Sequence, residues 1–389
     1  MKVAIIDPSC FSMPYDHCLC EGLVQQGCQV LFIGSRSPYD QSDYSASYKR
    51  WDHFYRLTNR IYKKPSGLGR KYIKGVEHFL DMERLVDCLR KWSPDVIHFE
   101  WLPLPPIDRW FLPRLRRVAP LILTVHDTQP FHGSPSSKVQ LLGLYNALHK
   151  FDHYIVHTEF SRNELTKNME IPKPKVSVIP HGVFDYYRTI RGRPQEHSTA
   201  EAVNSEKRVL FFGLIQPYKG LDVLIEAFAR LPDSLRERTR LVVAGYPKMP
   251  IEPLRELAVH VGIAKQVVWD LRFIPEEEVA SVFERASIVA LPYCRIDQSG
   301  VLMTALAFGK PIVASKIGGF AEVLKDGVHG YLVEPGDVDG LRRALQRILS
   351  QPKLAQQMGK SVEELAGGEL SWDSIAKRTL QVYQSLKKG

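Results

Sequence analysis

Two glycine-containing segments in the second half of the chain have the residue types and spacing of anion-binding sites. In the first of them, Gly300 follows Gln298 and Ser299 and opens a short apolar helix, which Gly309-Lys310-Pro311 ends. The free N–H groups at a helix start, with the positive end of its dipole, favour phosphate. Because Gly300 has no Cβ, a diphosphate could approach the backbone closely. The segment therefore predicts a phosphate-binding helix start.

The second segment, residues 212–220, predicts another strand, loop and helix. Gly213 stands at the end of the strand, and Lys219 lies near the start of the helix. A lysine ammonium at this point can neutralise a phosphate beside the helix start. Two such elements in one half of the chain predict a cradle for a nucleoside diphosphate.

The elements that would position these segments are strands and helices that alternate in both halves of the chain. In the first half, β-branched runs predict strands at residues 3–7, 30–33, 96–99, 121–125, 154–157 and 176–179, with helices at 16–26, 76–92, 136–150 and 161–168. The pattern restarts after a stretch without apolar periodicity, with strands at 209–212, 241–244, 267–269, 288–291, 312–314 and 331–333. This alternation predicts two doubly wound α/β domains with parallel sheets, whose ligands lie at the carboxyl ends of the strands.

The length and composition fit this organisation. A chain of 389 residues favours two domains, which we place at 1–188 and 207–370, joined by a linker at 189–206 and followed by a final helix at 371–389. Neither a transmembrane segment nor a signal peptide is predicted, since the apolar runs are too short. The six cysteines in a chain of this size favour reduced thiols, and we expect a cytoplasmic protein.

The formal net charge of +9 predicts an anionic partner. Between residues 36 and 75 the chain has ten Lys or Arg and three Asp, with aromatic residues interleaved. This combination is typical of membrane-surface binding and also of single-stranded nucleic acid binding. An ordinary solvated surface would account for it equally well, so all three interpretations stay open on composition alone.

The motifs, taken in order, resemble those of the GT-B glycosyltransferases, specifically the large retaining family known as family 4 or group 1. The resemblance is strongest between residues 209 and 336, in the segments 212–221, 241–245, 286–293, 305–311, 318–322 and 326–333. It implies two facing Rossmann-like domains, an acceptor-binding N-terminal one and a donor-binding C-terminal one. It also implies that the final helix returns to the N-terminal domain.

The resemblance assigns residues of the second half to a nucleotide-sugar donor. Gly213 and Lys219 would contact the diphosphate, and the backbone at Ser299, Gly300 and Val301 would hold its other phosphate. The contacts expected to the donor sugar or nucleoside are Gln298, Thr304, Arg272 and Phe273.

The family's pattern is broken at three positions of this half. Its paired glutamates would fall at Ile296 and Thr304, and an arginine is common where this chain has Leu214. The carboxylate contacts that the family usually makes to ribose and donor sugar are therefore not expected here.

In the first half, His126 and Asp127 end a predicted strand and resemble the family's His-Asp pair, whose histidine contacts the donor sugar near the anomeric carbon. We assign His126, Asp127 and Lys219 to catalysis; the structural alternative is a histidine satisfied by its neighbour Asp127. Tyr15, Asp16 and His17 are predicted at a helix start, where acceptor contacts are expected. Helix capping by Asp16 is the alternative.

The function predicted from this resemblance is retaining transfer of a sugar from a UDP- or GDP-linked donor to a hydroxyl acceptor. The acceptor would be a lipid-linked or polysaccharide intermediate of cell-envelope or exopolysaccharide synthesis. No carboxylate nucleophile is evident, which favours a front-face mechanism. We expect no cofactor and no metal, since Lys219 and the helix-start amides supply positive charge.

The predicted partners are the nucleotide sugar, the saccharide or lipid-linked acceptor, and the anionic inner face of the cytoplasmic membrane. We expect no nucleic acid partner. Two alternatives stay open. The first is a non-catalytic GT-B protein that binds a nucleotide sugar, as Ile296 and Thr304 suggest. The second is a sugar-nucleotide epimerase.

Overall fold

The computed structural model describes residues 1–36, 46–62, 68–128, 143–190 and 206–387. The chain forms two compact units, one of Met1–Gly182 with Trp372–Gly389 and the other of Val183–Ser371. Nearly all of the predicted linker 189–206 lies outside the described residues, as do parts of the stretch 36–75 and of the predicted helix 136–150.

The first unit is built on a seven-stranded sheet, ordered β3-β2-β1-β4-β5-β6-β7, in which all neighbours are parallel. Its strands are β1 Lys2–Asp7, β2 Gln29–Ser35, β3 Lys49–Phe54, β4 Val96–Phe99, β5 Leu121–Val125, β6 His153–Val156 and β7 Val176–Val178. Its helices before residue 182 are α1 Met13–Gln25, α2 Arg56–Ile61, α3 Leu68–Trp92, α4 Pro105–Arg116, α5 Leu144–Leu148 and α6 Glu159–Asn168. The central strands are buried on both faces, as expected where helices cover a parallel sheet.

The second unit has a six-stranded parallel sheet with the order β10-β9-β8-β11-β12-β13. Its strands are β8 Lys207–Phe212, β9 Thr239–Ala244, β10 Val267–Asp270, β11 Ile288–Leu291, β12 Ile312–Ser315 and β13 Gly330–Val333. Its helices are α7 Leu221–Ala229, α8 Asp233–Arg236, α9 Glu252–His260, α10 Glu276–Glu284, α11 Gly300–Ala307, α12 Gly318–Val323, α13 Val338–Ser350 and α14 Pro352–Gly367. In both sheets the strand order reverses beside the first strand of the unit, and ligands of such sheets bind at that point.

The last helix, α15 (Trp372–Lys387), belongs to the first unit although it follows the second in the chain. It packs against α1 so closely that a Cβ on Gly22 would lie 2.9 Å from the Trp372 carbonyl oxygen. Tyr383 is fully buried, and its hydroxyl lies 2.6 Å from Nδ1 of His98 in β4. The predicted α/β class with two Rossmann-like sheets is confirmed, and the return of the last helix is part of that fold.

Three elements of the first unit are absent from the sequence prediction, namely β3, the six-residue helix α2 and α4. β3 begins with Lys49 and Arg50 and lies at the edge of the sheet, so it lacks the apolar run of a central strand. α4 has two prolines in its first turn and Pro113 within it. Prolines in a first turn cost no helix hydrogen bond, because those N–H groups have no helix partner. No helix among the described residues is both long and apolar enough to cross a membrane.

Candidate active site

Residues expected to bind phosphate come together at the carboxyl edge of the second sheet. Gly213 follows β8 with a φ of 95°, a conformation that favours glycine. A Cβ on Gly213 would lie 3.1 Å from Nζ of Lys219 and 3.2 Å from Cγ2 of Val301. A side chain at Gly213 would therefore intrude between the lysine and the start of α11. The predicted loop, lysine and helix start thus form one site, called here the cradle.

Lys219 ends a one-turn 3₁₀ helix, and the next residue, Gly220, has a φ of 66°. A Cβ on Gly220 would collide with the Pro292 carbonyl oxygen, so only glycine fits this close approach. Lys219 is 6% exposed, and its Nζ lies 5.2 Å from the centroid of the Tyr293 ring. Burial lowers the pKa of this lysine to about 8.

The ammonium of Lys219 forms no ion pair with a carboxylate of the described residues. A buried cation without a partner is costly, and its pKa falls for that reason. A bound diphosphate would supply the missing negative charge and would raise the pKa again.

The start of α11 has free hydrogen-bond donors beside this lysine. The Ser299 hydroxyl caps the helix by accepting a 3.3 Å hydrogen bond from the Leu302 amide. The amides of Gly300 and Val301 precede the first helix hydrogen bond and remain for an anion. The helix dipole adds to the positive field of Lys219 at the same point.

Gln298 has a buried amide group with no hydrogen-bond partner for either its oxygen or its nitrogen. An unsatisfied buried amide costs stability, and a hydroxyl of a bound sugar could satisfy it. Thr304, also expected to contact the donor, is buried and donates a 2.9 Å hydrogen bond to the Gly300 carbonyl. The Gln298 amide is therefore unsatisfied in the fold, whereas the Thr304 hydroxyl is hydrogen-bonded within its own helix.

Arg272 and Phe273, which follow β10, differ in what they offer a ligand. The Arg272 guanidinium lies 2.8 Å from Asp270 and also pairs with Glu278. These carboxylates raise the pKa of the arginine and fix its position in the turn. Phe273 is 72% exposed. The phenyl ring is therefore available to stack on a base, and the arginine holds the turn that presents it.

In the first unit, His126 follows β5 and is bonded through both ring nitrogens. Its Nε2 lies 2.9 Å from Oε2 of Glu100, and its Nδ1 lies 3.1 Å from Nε2 of His157. The ring of Trp101 stacks on it with centroids 5.1 Å apart. Both ring nitrogens of His126 are therefore satisfied within the first unit by Glu100 and His157, two partners that the structural alternative did not name.

The hydrogen bonds that connect Glu100, His126 and His157 to the Ile179 carbonyl have a defined direction. Because a carbonyl oxygen only accepts, Nδ1 of His157 donates to Ile179, 3.1 Å away. Burial lowers the pKa of both His157 and His126 to about 3, so both rings are neutral at pH 7. His157 then accepts from Nδ1 of His126, and His126 accepts at Nε2. Burial raises the pKa of Glu100, in the direction that favours its protonated acid as the donor to Nε2 of His126.

Glu100 and Trp101 were not predicted from the sequence. Glu100 follows the apolar strand β4, and the register pairs Phe99 of β4 with Leu123 of β5. This register brings Glu100 beside the end of β5, where His126 follows. The signal for Glu100 in the sequence was a polar residue directly after a buried strand. Its partner could not be predicted, because which strand lies beside β4 is known only from the sheet order.

Tyr15, Asp16 and His17 lie in the first turns of α1, and the first two are buried. The Asp16 carboxyl hydrogen-bonds the buried Asp7 carboxyl, and burial together with Asp7 raises the pKa of Asp16 well above its usual range. Asp7 also accepts from the Ser12 amide at 3.3 Å. Asp16 therefore supports the loop after β1 from inside, and its buried carboxyl is not available for the acceptor contact that was expected. Its alternative role as a cap is also wrong, since Ser12 is the N-cap residue.

Two family models match the chain. The model described as Glycosyltransferase Family 4 matches residues 17–184, and the model described as Glycosyl transferases group 1 matches residues 193–365. Among solved structures, that of Anabaena HepE in complex with UDP and glucose matches with a TM-score of 0.72 and 17% identity. It covers 99% of this chain and 100% of that one.

Curated relatives named D-inositol 3-phosphate glycosyltransferase match at higher sequence identity. The protein of Streptomyces scabiei is 29% identical over 297 residues, which cover 74% of this chain. The match spans 65% of that relative, so this chain accounts for less than two thirds of its length. The protein of Kribbella flavida is 30% identical over 303 residues, 75% of this chain and 71% of the relative. By its fold, its two family matches and these relatives, the chain belongs to the group 1, or family 4, glycosyltransferases.

Proposed function

We propose that the protein is a retaining glycosyltransferase that moves a sugar from a nucleotide-diphosphate sugar to a hydroxyl acceptor. The observation that carries the proposal is the cradle of Gly213, Lys219 and the start of α11. It combines a buried ammonium that forms no ion pair with the free amides of a helix start. The absence of a side chain on Gly213 keeps the space between them clear. UDP-sugars are the first donors to test, since the matched HepE structure holds UDP and glucose.

In this proposal Lys219 and the amides of Gly300 and Val301 stabilise the diphosphate as the glycosidic bond breaks. Positive groups fixed where negative charge develops act more strongly in the transition state than in the ground state. A donor phosphate oxygen takes the acceptor proton on the same face of the sugar, so the configuration is retained. The reaction requires no metal, and His126 and Asp127 are proposed to contact the donor sugar.

The proposed acceptor is a lipid-linked or polysaccharide intermediate of cell-envelope or exopolysaccharide synthesis. A lipid-linked acceptor would place the enzyme at the inner face of the cytoplasmic membrane. The relatives' names add D-inositol 3-phosphate as a soluble acceptor to test beside it. Release of free nucleoside diphosphate with one acceptor class and not the other would identify the class.

The first experiment measures thermal unfolding with UDP, GDP, ADP and their sugar conjugates. A ligand at 100 times its dissociation constant stabilises the protein by about 2.7 kcal/mol. We expect one nucleotide family to do so, and the Lys219→Ala variant to bind it about tenfold or more weakly, since a hydrogen bond to a charged group contributes about 1.5–3 kcal/mol.

The matched control is Lys248→Ala. Lys248 lies over the Tyr246 ring at 5.3 Å, much as Lys219 lies over Tyr293, but it is exposed and outside the cradle. The control should bind the nucleotide like the wild type. If no nucleotide stabilises the wild type, the transferase proposal fails.

The non-catalytic alternative is favoured by one observation, the absence of acidic side chains at Ile296 and Thr304. It predicts donor binding without turnover on any acceptor. An epimerase would instead convert the donor sugar with no acceptor present. Product analysis of the same donor incubated with and without acceptor separates the three functions.

A further inference from the structure

Helices α2, α3 and α4 of the first unit carry large apolar side chains that point into solvent. On α3 they recur at the spacing of one helix face, with Tyr72 77% exposed, Val76 50% and Leu80 48%. Here we call the whole set the apolar face. Its members are Leu57 and Ile61 on α2, Tyr72, Val76, Phe79 and Leu80 on α3, and Trp110 on α4.

Four members of the apolar face border the same groove. Leu57, Tyr72, Val76 and Leu80 line one shallow groove between α2 and α3. The ring of Phe79 packs edge-on against Phe111 of α4, the neighbour of Trp110, with centroids 5.1 Å apart. Clustered apolar exposure of this kind marks an interaction surface, whereas single exposed apolar residues need no explanation.

The two carboxylates of α3 that border the groove are turned inward, whereas Glu83 and Asp87 farther along the helix reach the surface and pair with Arg114 and Arg90. The Glu77 carboxylate is turned inward and accepts from the amides of Leu57 and Thr58, at 2.6 and 2.8 Å. Asp81 is buried and accepts from the Tyr55 amide at 2.9 Å. Both carboxylates satisfy donors at the start of α2, so their negative charge is withdrawn from the surface.

Basic side chains remain outside. Arg56, Arg60 and Lys71 are exposed beside the apolar face, and none of them forms an ion pair with a carboxylate of the described residues. A surface of exposed apolar and aromatic side chains flanked by unpaired cations matches the boundary of an anionic bilayer. The rings enter the headgroup region and the cations meet the lipid phosphates.

We infer that the apolar face docks the first unit onto an anionic lipid bilayer. The inference extends the proposed function to the membrane, but docking requires neither donor nor turnover and is therefore measured separately. An acidic protein partner would meet the same charges. A bilayer fits better because exposed apolar side chains are not confined to the groove between α2 and α3, since Phe79 of α3 and Trp110 of α4 are also exposed.

The test is co-sedimentation of the full chain with vesicles of phosphatidylcholine alone or mixed with phosphatidylglycerol. We expect binding to the mixed vesicles only, weakening as salt is raised. Replacing Arg60 and Lys71 by Gln should lower the partition coefficient about fivefold for each charge removed. The triple variant Tyr72→Ser, Val76→Ser, Leu80→Ser should abolish binding, because it removes the apolar anchor.

The controls use exposed residues of the second unit. Val259→Ser removes an apolar side chain that is 66% exposed, and Lys248→Gln removes an exposed cation. Both should bind vesicles like the wild type. Nucleotide-induced thermal shifts of every variant report whether the fold and the donor site remain intact.

Three results would overturn the inference. The first is equal binding to neutral and anionic vesicles, and the second is binding that the triple variant retains. The third is self-association of the wild type in gel filtration that the triple variant abolishes, with no vesicle binding by either protein, which would show an interface between two copies of the chain. Loss of nucleotide binding with vesicle binding retained would overturn the proposed function and not this inference.

Discussion

We predict that Glu100 donates one proton to Nε2 of His126, and that proton distinguishes the possible replacements of Glu100. In Glu100→Gln the side-chain amide can still donate to Nε2 of His126, so the ring keeps its tautomer. In Glu100→Ala the buried Nε2 loses its donor, which costs about 1–3 kcal/mol of unfolding free energy. We expect the Gln variant to unfold in urea near the wild-type midpoint and the Ala variant well below it.

The ¹⁵N shifts of the His126 ring test the same assignment without reference to activity. In the wild type and in Glu100→Gln, Nδ1 should appear protonated and Nε2 unprotonated at pH 7. A shift typical of imidazolium in the wild type would show that the proton lies on the histidine, and the Gln variant would then lose as much stability as the Ala variant.

The buried pair of Asp7 and Asp16 makes stability depend on pH. Because the folded pKa of Asp16 is raised, the folded chain binds more protons than the unfolded chain above about pH 4, the pKa of an unfolded aspartate. The wild type should therefore lose stability relative to Asp16→Asn as pH rises, by up to about 1.4 kcal/mol per pH unit. Urea unfolding of both proteins between pH 4 and about 7 measures the difference.

The comparison with Asp16→Asn is needed because buried histidines act in the opposite direction. His126 and His157 have lowered pKa values, so their contribution to stability increases with pH up to the ordinary histidine value. They are common to both proteins and cancel in the difference. A difference that stays constant over this pH range would show that Asp16 is ionised in the fold.

At the scale of elements, two glycines within helices predict opposite effects of the same substitution. Gly75 lies in α3 with no atom within 4 Å of a Cβ built there, whereas a Cβ on Gly22 of α1 would meet the backbone of α15. Gly75→Ala should stabilise the chain by about 0.5–1 kcal/mol, since alanine favours a helix interior. Gly22→Ala should destabilise it, because α15 must move away from α1.

Thermal unfolding of the two variants checks this pair. The Gly75 variant should melt a few degrees above the wild type and the Gly22 variant below it. A higher melting temperature for Gly22→Ala would show that α15 can shift without cost.

The elements differ in how far they could be predicted from the sequence. Central strands such as β1 and β12 are continuous apolar runs, and a short run of that kind is typical of a strand buried on both faces. The edge strand β3 has charged residues, and α4 has prolines at its start, so local composition indicated neither. Tertiary contacts determine whether such segments form a strand or a helix.

For the whole molecule, the two-domain α/β architecture followed from alternation and length, and the family from the order of its motifs. The cradle could be predicted because its parts are local: Gly213 and Lys219 share one loop, and Gly300 and Val301 share one helix start. The partners of His126 could not, since Glu100 and His157 reach it from the neighbouring strands β4 and β6. Contacts across a sheet depend on strand order and register, which a single sequence does not give.

The position of α15 has a consequence for the order in which the protein is made. A ribosome releases residues 1–182 long before Trp372, so α1 emerges without the helix that covers it, and His98 without the Tyr383 hydroxyl. The second unit is contiguous in the chain and can complete its fold while the first unit still lacks its last helix. The half that is synthesised first is therefore the half that finishes last.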